Sequence, residues 1–160
     1  LGTPPARNLQ PAGPLAPQLA IVGDTCGGPK RPHDARLNGN VLTMMDNQAQ
    51  PGASCSPRAV AYEINVAAGT ATLLWQISNA APGGATLGST QQTADSVVVN
   101  WGAGQQPFLE EFAYVGTRYT RIMAVGLPNS GNSYRTIKYL PTDFDINTLR
   151  STAGGFVASP

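Results

Sequence analysis

Pro32-His33-Asp34-Ala35-Arg36-Leu37-Asn38-Gly39-Asn40-Val41-Leu42 decides how this chain is read. Asn38-Gly39 between two runs of strand-compatible residues is the strongest short-range hairpin signal, because both central turn positions are read as needing positive φ. The stretch predicts two antiparallel strands, His33–Leu37 and Asn40–Asp46, joined by a tight turn. It also carries the only histidine of the chain. Imidazole is the side chain whose ordinary pKa lets it act as acid, base or nucleophile near neutral pH. His33 is therefore the candidate for chemistry; the plainer alternative is a polar strand-end residue satisfied by a hydrogen bond.

Working outward from the hairpin, strand signals recur at close intervals. Leu19–Val22 is a short apolar run. Ala59–Val66 and Thr70–Ile77 flank Ala67-Ala68-Gly69 and complete a first four-stranded antiparallel meander. Beyond Pro82-Gly83-Gly84 the pattern returns: Ser89–Thr93 and Val97–Trp101 flank Ala94-Asp95-Ser96, and Phe108–Val115 and Tyr119–Leu127 flank Gly116-Thr117-Arg118. The two sets align at an offset of roughly 50–55 residues, the period of propeller blades. Tyr134–Leu140 reads as one further strand. The fold class is thus all-β: about two four-stranded blades plus an extra strand, as in a partial propeller, the alternative being a single β-sandwich of about nine strands. Residues 1–17, with Pro4, Pro5, Pro11, Pro14 and Pro17, read as an extended arm, either a disordered tail or a partner-binding segment. Residues 18–140 form the blade domain. Residues 141–160 are an irregular tail with one helical turn at Asn147–Arg150.

The composition excludes several function classes. With 160 residues the chain suffices for one domain with a real core, and its net charge of +1 gives no electrostatic footprint for nucleic acid. Only 12% of residues are charged, against roughly 25% in an average soluble domain, while Gly and Pro number 18 and 14. That balance suits an exported β-protein rich in turns. No apolar run approaches the roughly 20 residues of a membrane span. The hairpin brings the segments holding Cys26 and Cys55 to one end, which favours a disulfide and an oxidising compartment over two free thiols. Neither further cysteine nor second histidine exists to complete a zinc site, and no P-loop, dinucleotide fingerprint or nucleophile elbow is present; neither metal nor cofactor is expected.

Pro32-His33-Asp34-Ala35-Arg36 with Asn38-Gly39-Asn40-Val41-Leu42 and Asp46-Asn47 resembles the histidine hairpin of arylsulfotransferase-type propeller proteins. Pro57-Arg58-Ala59-Val60-Ala61-Tyr62-Glu63-Ile64 and Gly69-Thr70-Ala71-Thr72-Leu73-Leu74-Trp75-Gln76 are similar to its next two strands. Gly88-Ser89-Thr90-Gln91, Asn100-Trp101-Gly102 and Ser133-Tyr134-Arg135 follow in the same order. The resemblance covers roughly residues 20–140 and is specific over residues 33–76. It differs in a hairpin two residues shorter, in Pro32 before the histidine, and in the lack of a second histidine. It implies an exported six-bladed propeller, matched here over its C-terminal portion. It also implies sulfate transfer from an aryl sulfate to a phenol through a transiently sulfated histidine, without a nucleotide donor.

Such chemistry needs an uncharged imidazole in line with sulfur, cations on the non-bridging oxygens and a proton for the leaving phenolate. His33 matches the family's histidine. Lys30 and Arg31, in the Gly-rich lead-in, and Arg36 are the candidate sulfate-binding cations, a guanidinium fork suiting a tetrahedral oxyanion. On a flat strand Arg36 and Asp34 would face away from His33. Trp75 and Trp101 read as packing residues rather than aryl platforms, Glu110-Glu111 as carboxylates on opposite faces, and Asp143-Phe144-Asp145 as a solvated loop rather than a calcium site. The competing reading is a non-catalytic module whose unsatisfied blade edges and Pro-rich arm drive self-association.

Overall fold

Alternating β-branched runs punctuated by Gly and Asn turns resolve into nine strands in the computed structural model, which describes residues 18–49, 55–78, 86–103, 107–116, 118–126, 131–139, 141–143, 145, 147 and 148. The strands are β1 (Ala20–Val22), β2 (Pro32–Asn38), β3 (Val41–Asp46), β4 (Arg58–Asn65), β5 (Thr70–Ser78), β6 (Ser89–Gln92), β7 (Ser96–Asn100), β8 (Leu109–Val115) and β9 (Arg118–Val125). Sheet A has the order β1-β5-β4-β3-β2 and sheet B the order β6-β7-β8-β9. Both are antiparallel meanders in chain order, except that β1 joins β5 in parallel, Ala20 opposite Thr70. The all-β reading therefore holds, with two antiparallel-rich sheets, the first five-stranded because β1 adds to β5, and neither sheet closes on itself among the described residues. The Pro-rich arm and the Pro82-Gly83-Gly84 loop lie outside the described residues.

Two expectations need correction. The β2–β3 hairpin pairs Asn38 with Val41, so its central residues are Gly39 and Asn40, one position later than Asn38-Gly39. Only Gly39 is left-handed there, at φ +60°, as befits a two-residue turn with glycine first. The strand expected over Tyr134–Leu140 forms no ladder over its described residues. Residues 134–138 run beside β6 and attach through a single backbone bond, Gly88 N to Tyr134 O at 3.2 Å, and otherwise through side chains. Ser89 Oγ accepts from Thr136 N, and the Gln91 amide accepts from Lys138 N and donates to Lys138 O. Hydroxyl and amide groups thus stand in for the peptide groups of a partner strand.

The sheets pack face to face. Met45, Ala59 and Ile77 of sheet A interlock with Val97, Val99 and Trp101 of sheet B, flanked by Trp75, Phe112 and Tyr119. The buried Trp101 indole donates to Glu110 Oε2 at 2.7 Å, so its polar atom is satisfied inside the core. The opposite face of sheet A buries Met44, Val60, Tyr62 and Ala71, with Leu19 packed on them. Strand β6 lies against β2, β3 and β4, so the first strands of the two meanders meet.

Cys26 and Cys55 are disulfide-bonded, as the hairpin geometry leads one to expect, a bond that belongs to a non-reducing environment. No helix among the described residues is long and apolar enough to cross a membrane. The tail holds a 3-10 turn at Pro141–Asp143, and Asp145 caps the backbone N–H groups of Asn147 and Thr148.

Candidate functional site

The site begins with a defect in the β2–β3 ladder. His33 stands opposite Met45 and Arg36 opposite Thr43, so three steps on β2 span two on β3. One extra residue bulges out, and Asp34 takes φ +52° to accommodate it. Met45 and Thr43 share a face, and directly opposed residues in an antiparallel pair point the same way. His33 and Arg36 are therefore on one face, the face turned toward sheet B. The flat-strand expectation that they point apart fails because the bulge resets the alternation.

His33 is held in one tautomer. Its Nδ1 lies 2.7 Å from Asn47 Oδ1, and Asn47 Nδ2 donates to Leu87 O at 3.0 Å. A backbone carbonyl only accepts, so the amide nitrogen must face Leu87 and the amide oxygen must face the imidazole. Nδ1 consequently carries a hydrogen, and in the neutral imidazole the lone pair is on Nε2. Nε2 has no hydrogen-bond partner among the described residues.

Cations gather on the neighbouring carboxylate. Asp34, which makes no bond to His33, accepts from Arg36 Nε at 2.9 Å through Oδ2 and pairs with Arg135 Nε at 2.9 Å through Oδ1. Arg135 comes from the segment beside β6 and is about half exposed. Two guanidiniums share one carboxylate beside the histidine, leaving the cluster one positive charge in excess. Of the other expected cations, Arg31 is exposed with φ +56°, and Lys30 is half-buried, its backbone N–H donating to Asp46 Oδ1 at 2.7 Å.

Beneath these groups lies a buried ionic node. Arg58 makes a bidentate pair with Asp24, Nη1 to Oδ1 at 2.8 Å and Nη2 to Oδ2 at 2.9 Å, and gives Nε to Asp46 Oδ2 at 2.9 Å. Cys26 N, Gly28 N and the Tyr62 hydroxyl also donate to Asp24, and Lys30 N and Gln48 to Asp46. Two carboxylates against one guanidinium would be costly without these donors. The Arg58 bonds hold the Asp24 carboxyl well below the usual carboxylate range, more than offsetting its desolvation. Arg58 is desolvated too, but its bonds to Asp24 and Asp46 keep it firmly charged. Burial, then the bond to Asp24, pushes the Tyr62 phenol up, so it stays a donor. Asp46 anchors the lead-in to β2 and immediately precedes Asn47, so one node positions both partners of the His33–Asn47 bond.

Backbone strain concentrates at the same place. The non-glycine residues with positive φ among those described are Arg31, Asp34, Gln48 and Leu87, at +56°, +52°, +50° and +67°. Two flank His33, one follows Asn47, and the last accepts its amide. Each such conformation costs on the order of 1–3 kcal/mol and persists only where surroundings impose it, a pattern common at working sites.

The other singled-out residues fall elsewhere. Glu110 pairs with Arg121 and Trp101, while Glu111 faces the opposite side, to Ser96 and Lys138, so they share no site. The Lys138 and Ser96 bonds outweigh desolvation and lower the Glu111 pKa. No group of three or more His, Cys, Asp or Glu side chains among the described residues is placed to hold a metal. Asn47 and Arg135 were not singled out individually by their residue types; each sits inside a landmark of the resemblance, Asp46-Asn47 and Ser133-Tyr134-Arg135, and that was the available signal. The chain matches no protein-family model, no curated protein and no solved structure.

Proposed function

We propose that this is an exported protein of arylsulfotransferase type, built of propeller-like blades, in which His33 carries a sulfuryl group between phenols. The observation that carries this reading is the Asn47-fixed tautomer of His33, which aims a lone pair from Nε2, the electronic state a nucleophile requires. The excess cation of the Arg36–Asp34–Arg135 cluster suits the non-bridging oxygens of a sulfate ester. Two meanders packed face to face, with first strands meeting, agree with neighbouring blades around an axis, and the disulfide agrees with export. In the proposed step Nε2 attacks sulfur; the N–S bond forms as the S–O bond to the aryl oxygen breaks. The phenolate leaves with the bonding pair and takes a proton from water. Asn47 Oδ1 holds the Nδ1 proton of the sulfo-imidazole. The oxygen of a second phenol then attacks sulfur and loses its proton to water, and Nε2 recovers its pair. Intact-mass analysis after incubation with a chromogenic aryl sulfate tests this: a sulfuryl adduct and released phenol, both absent in His33→Ala, are expected. A folded native chain that shows neither overturns the reading.

A second reading has its own observation. Strand β9 is an unpaired edge of sheet B among the described residues and exposes Ile122, Met123 and Val125. Such an edge suits strand addition between copies in a non-catalytic assembly. Sedimentation velocity across a concentration series tests it; a monomer throughout removes it.

A further inference from the structure

We propose that the polar cleft between the β2–β3 hairpin and the end of β6 binds a sulfated sugar, with the sulfate on Arg36 and the sugar hydroxyls on Asn38, Thr43 and Gln92. Strand β6 lies against β2 and β3, and a cleft of about 600 Å³ opens between them beside the turns of both hairpins. That is within the roughly 300–1,000 Å³ of small-molecule sites. Arg36, Asn38, Val41 and Thr43 form one wall, and Gln92 and Ala94 belong to the other. The registers put these side chains on facing surfaces. Asn38 stands opposite Val41 and Arg36 opposite Thr43, on the face of sheet A turned toward sheet B. Gln92 stands opposite Val97, a residue of the inter-sheet core, so it points back at that face. Arg36 lies between His33 and Asn38 along β2, so a sulfate on Arg36 leaves the sugar to run toward the hairpin turn.

The lining chooses the ligand. The Asn38 and Gln92 amides and the Thr43 hydroxyl have no hydrogen-bond partner among the described residues. An amide presents a donor and an acceptor side by side, and a hydroxyl both gives and takes a bond, which matches the neighbouring hydroxyls of a sugar. Val41 and Ala94 offer small apolar contacts to its C–H faces. Among the described residues no aromatic side chain lines the cleft, so an aryl ring finds no face to stack on there. No carboxylate lines it either, and Arg36 is its one charged residue, so the ligand is neutral or anionic. Arg36 gives Nε and Nη2 to Asp34 and keeps Nη1 for an anion. With Asp34 between Arg36 and Arg135 the cluster has one positive charge in excess, the match for a singly charged sulfate ester rather than a phosphate monoester at about −1.5 to −2. One alternation inward from Gln92, Thr90 faces the same way, and its fully buried hydroxyl has no partner among the described residues. The polar row thus continues from the cleft into the sheet interface, where packing alone would favour an apolar side chain. The sulfate contact rests on Arg36 serving the proposed sulfuryl transfer; the sugar contacts rest on the cleft alone.

Titration of the native full chain with monosulfated disaccharides of glucose, galactose and N-acetylglucosamine, followed by the side-chain amide resonances of Asn38 and Gln92, tests the proposal. At least one is expected to bind saturably and shift both resonances, about tenfold or more tighter than its unsulfated parent and than inorganic sulfate. Gln92→Leu is expected to weaken that binding about fivefold, the loss of a hydrogen bond to the ligand. Gln92 is exposed, so this variant keeps the fold, and Thr43→Val removes the hydroxyl at nearly unchanged size as a second reading. No saturable shift with any of the three disaccharides overturns the proposal, as does unchanged affinity in both variants. Inorganic sulfate binding as tightly as the sulfated sugar would reduce the site to an anion contact at Arg36 and overturn the sugar assignment. An unsulfated parent binding as tightly, or a phosphorylated analogue binding tighter, would overturn the sulfate assignment. Titration involves no transfer, so a histidine that is never sulfated and a cleft that binds no sugar are separate results.

Discussion

Arg135 Nε meets Asp34 Oδ1 at 2.9 Å, closing a contact between the histidine hairpin and a segment almost at the far end of the described chain. Asp34 is the point where two cations from opposite ends of the sequence are held together, since Arg36 occupies its other oxygen. Under the proposed sulfuryl transfer, an incoming ester competes with Asp34 for both guanidiniums.

Arg135→Ala should therefore weaken binding of an aryl sulfate about tenfold, the loss of one charge-assisted bond of about 1.4 kcal/mol. The side chain is 46% exposed, so the fold should survive. Titration calorimetry with a non-transferable sulfate ester measures it. Unchanged affinity in a folded variant would assign Arg135 to tethering alone.

Asn47→Leu should lower the rate of His33 sulfation by about tenfold, because the acceptor that holds the Nδ1 proton as positive charge develops on the ring is lost, a bond of about 1.4 kcal/mol. Stopped-flow release of the phenol, with circular dichroism on the same samples, separates this from unfolding. A variant with native spectrum and native burst rate would contradict it.

Strand propensity and turn chemistry made both meanders legible, because the apolar and β-branched runs between turns are also the strands that pack, as in Val97–Val99 of β7 and Met44-Met45 of β3. The side of His33 on which Arg36 falls was not legible: a bulge changes face without leaving a signal in composition, and Asp34 at φ +52° shows only in coordinates. The Tyr134–Lys138 segment misled for a related reason. It has the alternation of a strand, but its partners are the side chains of Ser89 and Gln91. Arg58 reads as a surface residue by type and is buried, because its matching carboxylate, Asp24, lies in a loop whose position no local pattern encodes.

Gly88 and Gly102 should tolerate no side chain. A Cβ on Gly88 would lie 2.6 Å from Asn100 O and 2.9 Å from Met45 Cγ, and one on Gly102 would run into Thr86 O; their φ values are +101° and +84°. The two loops interlock there and set the position of Leu87 O, which holds Asn47. Gly102→Ala is expected to cost about 2–4 kcal/mol, backbone strain and overpacking together. Urea denaturation measures it, and a loss below about 1 kcal/mol would mean that the loops yield.

Reducing the Cys26–Cys55 bridge releases a loop of sequence separation 29, a change worth about 3–4 kcal/mol in chain entropy. Because Cys26 N donates to Asp24, reduction should also loosen the Arg58 node. Denaturation midpoints with and without reductant should differ accordingly. Coincident midpoints would show that the node holds the loop unaided.

The Arg58 node should make stability depend on acid. The Asp24 carboxyl titrates below its ordinary 3.8 in the folded chain, so the unfolded chain binds the proton first as pH falls. The stabilisation is then fully present above about pH 5 and is lost progressively below about pH 4, as the unfolded form takes up the proton. Asp24→Asn should flatten this part of the pH profile while lowering stability at neutral pH, since Arg58 loses a charged partner. Arg58→Ala should cost more, about 3–5 kcal/mol, because it strands Asp24 and Asp46 together without a cation. Urea titrations of the three proteins between pH 2.5 and 7 supply all the values needed. A native chain with the same pH slope as Asp24→Asn would show that other carboxylates govern its acid stability.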